Sequence, residues 1–424
     1  MNVHLPYGEH GLDVELPDGA FVIEPQATPG LPDAQRAVAD AIAKPIGSPP
    51  LRELVRATDT VAIVVSDITR PVPNRVLLPP ILAPLRAAGV PRERVVIIIG
   101  TGMHRSSKPD EVERIVGPEI AASYEVIDHV ARDKSTLKYL TTTARGVEVW
   151  INRRYLEADV RIVTGFVEPH LFAGYSGGGK GVLPGVAGTE IVMANHAAEM
   201  IGHPKAAFCV GEGNPIFEEQ RDIALLTKPS LLVNVTLNAE REITGVFTGE
   251  LAAAHDAGIA QAERQYVREI PHPFDIVVST NMGYPADLNL YQSVKGMSVA
   301  AQAVREGGAI VLAAECRDGL GLSEYTELIT SEASPKALLD RICAPGFARY
   351  DQWGVQVQAM VQAKADCWLY SAMSRETVES AHLRYCDDIA STVAQLVEAQ
   401  RVELGREPSV AVLTYGQLTV PRVA

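Results

Sequence analysis

Val61-Ala62-Ile63-Val64-Val65-Ser66-Asp67-Ile68-Thr69-Arg70-Pro71 joins two kinds of sequence whose combination decides the fold. The first five residues are apolar without interruption and mostly β-branched, the composition of a strand covered on both faces. The next six are largely polar and end at a proline, which stops a regular element and stiffens the turn. A strand with no solvent face, followed by a polar loop, belongs to a parallel sheet between helices, and such sheets bind ligands outside the carboxyl ends of their strands.

The same signature recurs at Val95-Val96-Ile97-Ile98-Ile99, Val160-Arg161-Ile162-Val163, Leu231-Leu232-Val233-Asn234-Val235, Asp275-Ile276-Val277-Val278 and Ala309-Ile310-Val311-Leu312. Between these runs, Pro80 to Gly89 and Leu251 to Val267 space alanine, leucine and charge as helices do. The expected class is α/β, with two α/β domains, largely parallel sheets and an active site in the interdomain cleft. Prolines at Pro271 and Pro273 mark the boundary. The expected division is 1–270 for the cofactor-binding and catalytic domain and 271–405 for a C-terminal domain closing over the substrate, with 406–424 a candidate to rejoin the first.

At 424 residues the chain exceeds what one core usually serves, and its 47% hydrophobic and 21% charged residues are those of a globular enzyme. A net charge of −14 argues against a nucleic-acid partner. Cys209, Cys316, Cys343, Cys367 and Cys386 are odd in number and contain no C-x-x-C pair, so neither a disulfide framework nor a zinc knuckle is expected. With no signal-like N-terminus and only strand-length apolar runs, the expectation is a cytoplasmic protein without a membrane partner.

Four strand ends carry polar groups suited to one site. After Val65 comes the Asp67 to Arg70 loop, and after Ile99 comes Gly100-Thr101-Gly102-Met103-His104-Arg105. After Val163 comes Glu168-Pro169-His170-Leu171-Phe172-Ala173-Gly174-Tyr175-Ser176-Gly177-Gly178-Gly179-Lys180-Gly181, and after Val278 comes Ser279-Thr280-Asn281-Met282-Gly283. The glycine run lacks side-chain bulk, so a flat or phosphorylated cofactor is expected against its backbone. Gly174, Gly179 and Lys180 satisfy P-loop spacing, but Gly181 replaces the hydroxyl that holds magnesium, and Pro184-Gly185 interrupts the helix a P-loop needs. Lys180 then needs another task, and an amine is a suitable attachment point for a carbonyl-bearing cofactor.

His104, His170 and His196 each follow a strand or a glycine-rich turn, unlike His129, His203, His255, His272 and His382, which are read as structural. Arg70 offers the planar donor fork that fits a carboxylate. Tyr291, Gln292 and Lys295 fall on one side of a helix, a face that is either exposed or turned to a substrate. Trp353 is either a pocket wall or a core residue. H-E-x-x-H and G-x-S-x-G are absent, and Gly100-Thr101-Gly102 lacks the third glycine of a dinucleotide fingerprint.

As a set, the Asp67–Arg70 loop, the Gly100–Arg105 segment, Glu168 through Gly185, Asn195-His196 and Tyr291-Gln292-Ser293-Val294-Lys295-Gly296 resemble the lactate racemase family, whose members use a nickel-pincer nucleotide. The resemblance implies Ni(II)-pyridinium-3,5-bisthiocarboxylate mononucleotide attached covalently at Lys180, with His196 as the protein ligand to the metal. It implies that Asp67, Ile68, Thr69 and Arg70 contact the cofactor, that His104 and His170 are the acid/base pair, and that Arg70, Tyr291, Gln292, Lys295 and Trp353 meet the substrate. The implied function is racemisation or epimerisation at C2 of a 2-hydroxy acid by reversible hydride transfer. Separate enzymes that make the cofactor are then indirect partners. Such a route suits the chemistry, because a C2 hydrogen beside an ionised carboxylate is too weakly acidic for direct removal as a proton. Two other readings stand beside this one: a nucleotide-binding phosphotransferase using Gly174 to Lys180, and a non-catalytic cofactor carrier needing Lys180 and His196 alone.

Overall fold

The computed structural model describes residues 1–424, which divide into two compact units. One comprises Ala27–His196 and His203–Gln265; the other comprises Met1–Gln26, Ala197–Gly202 and Tyr266–Ala424. The boundary expected near 270 falls at Tyr266, but the division differs from 1–270 and 271–405 at both chain ends. The first 26 residues group with the C-terminal unit. Val410–Leu413 also pairs within that unit, between Phe274–Thr280 and Phe21–Ile23. These are pairings between segments far apart in sequence, which local composition does not encode.

The first unit is built on a six-stranded sheet with Glu125–Asp128, Val95–Gly100, Val61–Ser66, Val160–Phe166, Leu231–Leu237 and Ile243–Gly249 in that spatial order. All neighbours are parallel except the last pair. Counted along the chain, the order is 3-2-1-4-5-6, that of doubly wound dinucleotide-binding folds. It reverses direction between Val61–Ser66 and Val160–Phe166, and a crevice opens at the carboxyl ends of such a pair. These are the strands that lead into Asp67–Arg70 and into the glycine run.

Alternation along each strand feeds two separate cores. Val61, Ile63 and Val65 pack with Ile97, Ile99 and Ile162 under Leu77, Leu78, Ile81, Leu82 and Leu85 of the helix Asn74–Ala87. Ala62 and Val64 face the other way, with Ile98 and Val163, onto Val182, Leu183, Val186 and Ile191. Val182 and Leu183 are wholly buried, each contributing about 1.5–3 kcal/mol. The segment just after Lys180 is thereby pinned to the sheet.

The second unit carries a six-stranded, all-parallel sheet in the order Arg384–Tyr385, Asp366–Tyr370, Val304–Ala313, Phe274–Thr280, Val410–Leu413 and Phe21–Ile23. One face is covered by Ile389, Val393 and Val397 of the helix Ile389–Leu404 and by Val3, Leu5, Val14 and Leu16. At the sheet's amino edge, buried Asp275 accepts from Arg305, Arg406 and Ser409. Burial raises this carboxyl, but the two guanidinium groups and Ser409 outweigh it and hold it well below the usual range. All six strands expected from composition are present.

Candidate active site

Three of the four polar strand ends lie at the carboxyl edge of the first unit's sheet, and the fourth, after Val278, ends a strand of the other sheet. In the loop after Val61–Ser66, Asp67 is 6% exposed. Its Oδ1 accepts from Thr69 Oγ1 at 2.6 Å and from Thr69 N at 3.2 Å, closing a side-chain turn. Its Oδ2 accepts from His104 Nδ1 at 2.7 Å. Burial raises the Asp67 carboxyl, but His104, Thr69 and the Arg70 charge together hold it below its ordinary value. Ile68 packs onto the core beneath. Arg70 is exposed.

His104 reaches Asp67 because Gly102 turns the chain at φ +57°, with its N–H on the Gly185 carbonyl at 3.0 Å. The His104 side chain is 41% exposed. The loop after Val160–Phe166 returns on itself, pairing Pro169 and His170 with Tyr175 and Gly174. Within this short hairpin the Ala173 N–H donates to His170 Nδ1 at 3.2 Å. The Phe172 ring stands edge-on between two imidazoles, 4.7 Å from His170 and 5.3 Å from His196.

The glycine run is explained by protein packing. A Cβ on Gly177 would lie 2.6 Å from Asn234 Oδ1, on Gly178 2.1 Å from His255 Nδ1, on Gly179 2.5 Å from the Gln220 carbonyl, and on Gly181 2.3 Å from Val163 Cγ1. Asn234 Oδ1 also accepts the Gly178 N–H at 2.8 Å, and His255 Nε2 donates to the Ser176 carbonyl at 2.9 Å. His255 is buried, with Phe217 stacked 5.6 Å away, and burial pushes its imidazole down to about 4. Asn234, His255 and Gln220 clamp the loop from within. Sequence reasoning read His255 as structural, as it is, but did not link it, Asn234 or Gln220 to the loop, because a glycine's neighbour lies in distant sequence and leaves no local mark.

Lys180 lies within a short 3-10 turn, Gly178–Gly181, and no α-helix begins until Thr189. The helix dipole of a P-loop is missing here. Burial first, and then the Arg70 charge, push the Lys180 amine down to about 7, with Glu168 acting in the opposite direction. His196 caps the helix Thr189–Asn195, is 6% exposed, and places Nδ1 3.1 Å from the Val192 carbonyl. A carbonyl only accepts, so Nδ1 carries the proton and Nε2 the lone pair. Burial and the Lys180 charge push this imidazole down to about 3. Asn195, fully buried and bonded to Glu219 and Gln220, fixes the end of that helix.

In the other unit, the helix Leu290–Ala303 starts at Asn289, whose side chain caps the Gln292 N–H. Lys295 Nζ donates to Gln292 Oε1 at 3.0 Å. Tyr291 donates to Asp351 Oδ1 at 3.1 Å and receives Trp353 Nε1–H at 3.3 Å, while burial and the Asp351 carboxylate push the phenol up. Trp353 is half-buried and so neither fully core nor fully exposed. No three His, Cys, Asp or Glu side chains form a metal cage. No helix is long and apolar enough to cross a membrane.

Residues 7–209 match the lactate racemase N-terminal domain and residues 270–420 the lactate racemase C-terminal domain. Lactate racemase from Lactiplantibacillus plantarum is 33% identical over 425 residues, covering 98% of each chain. Lactate racemase from Thermoanaerobacterium thermosaccharolyticum is 33% identical over 370 residues, covering 85% of each. The solved apoprotein structure of lactate racemase from Thermoanaerobacterium thermosaccharolyticum matches with a TM-score of 0.92 at 29% identity, over 100% of both chains. A Thermotoga maritima protein shares the fold, with a TM-score of 0.67 at 18% identity, over 94% of this chain and 100% of its own. Matched domain by domain and along nearly its full length, the chain belongs to the lactate racemase family and is, with it, an isomerase.

Proposed function

We propose that the protein racemises or epimerises C2 of a 2-hydroxy acid, lactate or a close relative, using a nickel-pincer nucleotide held at Lys180 and His196. The observation that carries this reading is a lysine amine brought down to about 7 in electrostatic contact with a buried imidazole whose Nε2 bears a lone pair. The neutral amine is the form that attacks a carbonyl-type carbon. An imidazole that is not part of any cluster of three or more His, Cys, Asp or Glu side chains suits a metal that brings its other ligands with it. The residues fit the group.

When bound, the cofactor supplies an electron-poor acceptor for the C2 hydrogen, which the chain's own groups cannot provide. His104 receives the hydroxyl proton at Nε2 while Asp67 steadies the resulting charge. Arg70 and Lys295 are assigned to the substrate carboxylate as the C2 carbonyl turns, Tyr291 and Gln292 to orienting the substrate, and Trp353 to its substituent. His170 serves the opposite face. Proton transfer by such groups is worth about 10²- to 10⁴-fold in rate. Five free cysteines fit a reducing cytoplasm, where the cofactor-making enzymes would supply the nucleotide.

The test is co-production with those enzymes, followed by intact mass, nickel analysis and chiral chromatography of D- and L-lactate and a panel of longer 2-hydroxy acids. We expect an adduct at Lys180 and loss of optical purity for at least one acid. Loaded protein that leaves every acid optically pure would overturn the catalytic reading and return the cofactor-carrier reading. Activity that survives in both His104→Gln and His170→Gln would remove those histidines from the chemistry.

A further inference from the structure

Each histidine at the sheet's carboxyl edge commits Nδ1 to one local partner, and the partner's chemistry fixes where the ring proton sits. Asp67 Oδ2, 2.7 Å from His104 Nδ1, belongs to a carboxylate that only accepts. In its neutral form His104 therefore carries its proton on Nδ1 and presents a lone pair at Nε2. The carboxylate cannot swing away freely, because its other oxygen is tied to Thr69 through both hydroxyl and backbone.

His170 is wired in the opposite sense. Its Nδ1 faces the Ala173 N–H at 3.2 Å, and an amide N–H only donates. The neutral ring must therefore hold its proton on Nε2. The hairpin that creates this contact has little freedom, since Pro169 and His170 pair with Tyr175 and Gly174 and a Cβ at Gly174 would lie 2.1 Å from the Val210 carbonyl.

Resting on the proposed racemase reading, we infer that the two histidines are not equivalent in the resting enzyme: His104 is the base, His170 is a neutral hydrogen-bond donor to the C2 oxygen, and Asp67 and the Ala173 amide are the positioning groups that impose the difference. A neutral imidazole that polarises a carbonyl is an established catalytic device. For the enantiomer whose hydroxyl meets His104, the O–H bond breaks, an N–H bond forms at Nε2, and the positive ring lies against Asp67 before releasing that proton to water; after the carbonyl has turned, the new O–H bond takes the Nε2 proton of His170 as its Nδ1 gains one from water, since a neutral ring cannot give up its single proton. For its mirror image, His170 can take the hydroxyl proton only after its own Nε2 proton has left to water, Nδ1 has gained one, and the Ala173 hydrogen bond has broken. One enantiomer meets a ready base and the other must wait for a tautomer exchange. Because a racemisation has an equilibrium constant of one, kcat/KM stays equal in both directions, and the asymmetry resides in kcat and KM separately.

The test uses the full-length chain labelled with 15N-histidine at pH 9, read by long-range proton–nitrogen correlation, with signals assigned from their disappearance in His104→Gln and His170→Gln. We expect His104 protonated on Nδ1 alone and His170 on Nε2 alone. In Asp67→Asn, where the side-chain amide can donate or accept, the His104 preference should give way to a mixture while His170 is unchanged. Both rings in the same tautomer, a proton on His170 Nδ1, or a His104 pattern indifferent to Asp67→Asn would overturn the inference. The measurement needs no turnover, so its failure is separate from a failure to racemise any 2-hydroxy acid.

Discussion

Lys180 should react with amine reagents at a pH where other lysines are inert. At pH 7 an ordinary lysine, with a pKa near 10.4, carries a neutral amine on about one chain in 2,500, while an amine brought down to about 7 is neutral on about half. The reactive form is enriched by about a thousandfold, a margin wide enough to survive the lower nucleophilicity of a weaker base and the partial burial of the side chain. The assay is trace acetylation of unloaded protein by limiting acetic anhydride from pH 5 to 10, with peptide mapping of each lysine. Lys180 should label with a midpoint near 7 and the remaining lysines several units higher. The causes make a second, signed prediction: Arg70→Gln removes a cation and should raise the midpoint, whereas Glu168→Gln removes an anion and should lower it. A Lys180 midpoint above pH 9, or an Arg70→Gln shift downward, would refute the electrostatic account.

Gly178→Ala should destabilise the first unit by about 1–3 kcal/mol, since its Cβ meets His255 and its φ is +50°. Adding His255→Ala should restore the part due to the clash and leave the part due to φ, measurable by a double-mutant cycle in urea. Asp275→Asn should cost about 3–5 kcal/mol by leaving two guanidinium groups without their carboxylate. Because the folded Asp275 carboxyl lies below its unfolded value, its stabilisation is present above about pH 4 and is lost as pH falls further; urea melts between pH 2 and 7 should show that loss in wild type and not in Asp275→Asn. His196→Gln in cofactor-loaded protein should lose nickel by elemental analysis while keeping the Lys180 adduct by mass. Retained nickel would move the metal ligand elsewhere.

What was legible in the sequence was local. Near-continuous apolar runs marked all six expected strands, and polar residues after Val65, Ile99 and Val163 marked the edge where Asp67, His104, His170 and Lys180 stand. The break at Pro184-Gly185 correctly excluded a P-loop helix. Nonlocal pairing was hidden. Phe21–Ile23 is three residues long, and nothing within it says that it adds to a strand nearly 400 positions away. The glycine run was read as space for a cofactor, whereas four of its missing side chains are accounted for by Asn234, His255, Gln220 and Val163. Tautomers were equally out of reach, because each depends on whether the atom opposite Nδ1 accepts or donates.

That inward packing of the glycine loop has a consequence for inheritance and for engineering. The run is not a portable cassette: moved into another sheet without an imidazole under Gly178, an amide beside Gly177 and a bare carbonyl at Gly179, it would keep its spelling and lose its shape. Substitutions should therefore travel together, so that a relative carrying alanine at the position of Gly178 would also lack the ring at the position of His255. Asn234 and His255, distant from the loop in sequence, are as much a part of its heritable unit as Lys180.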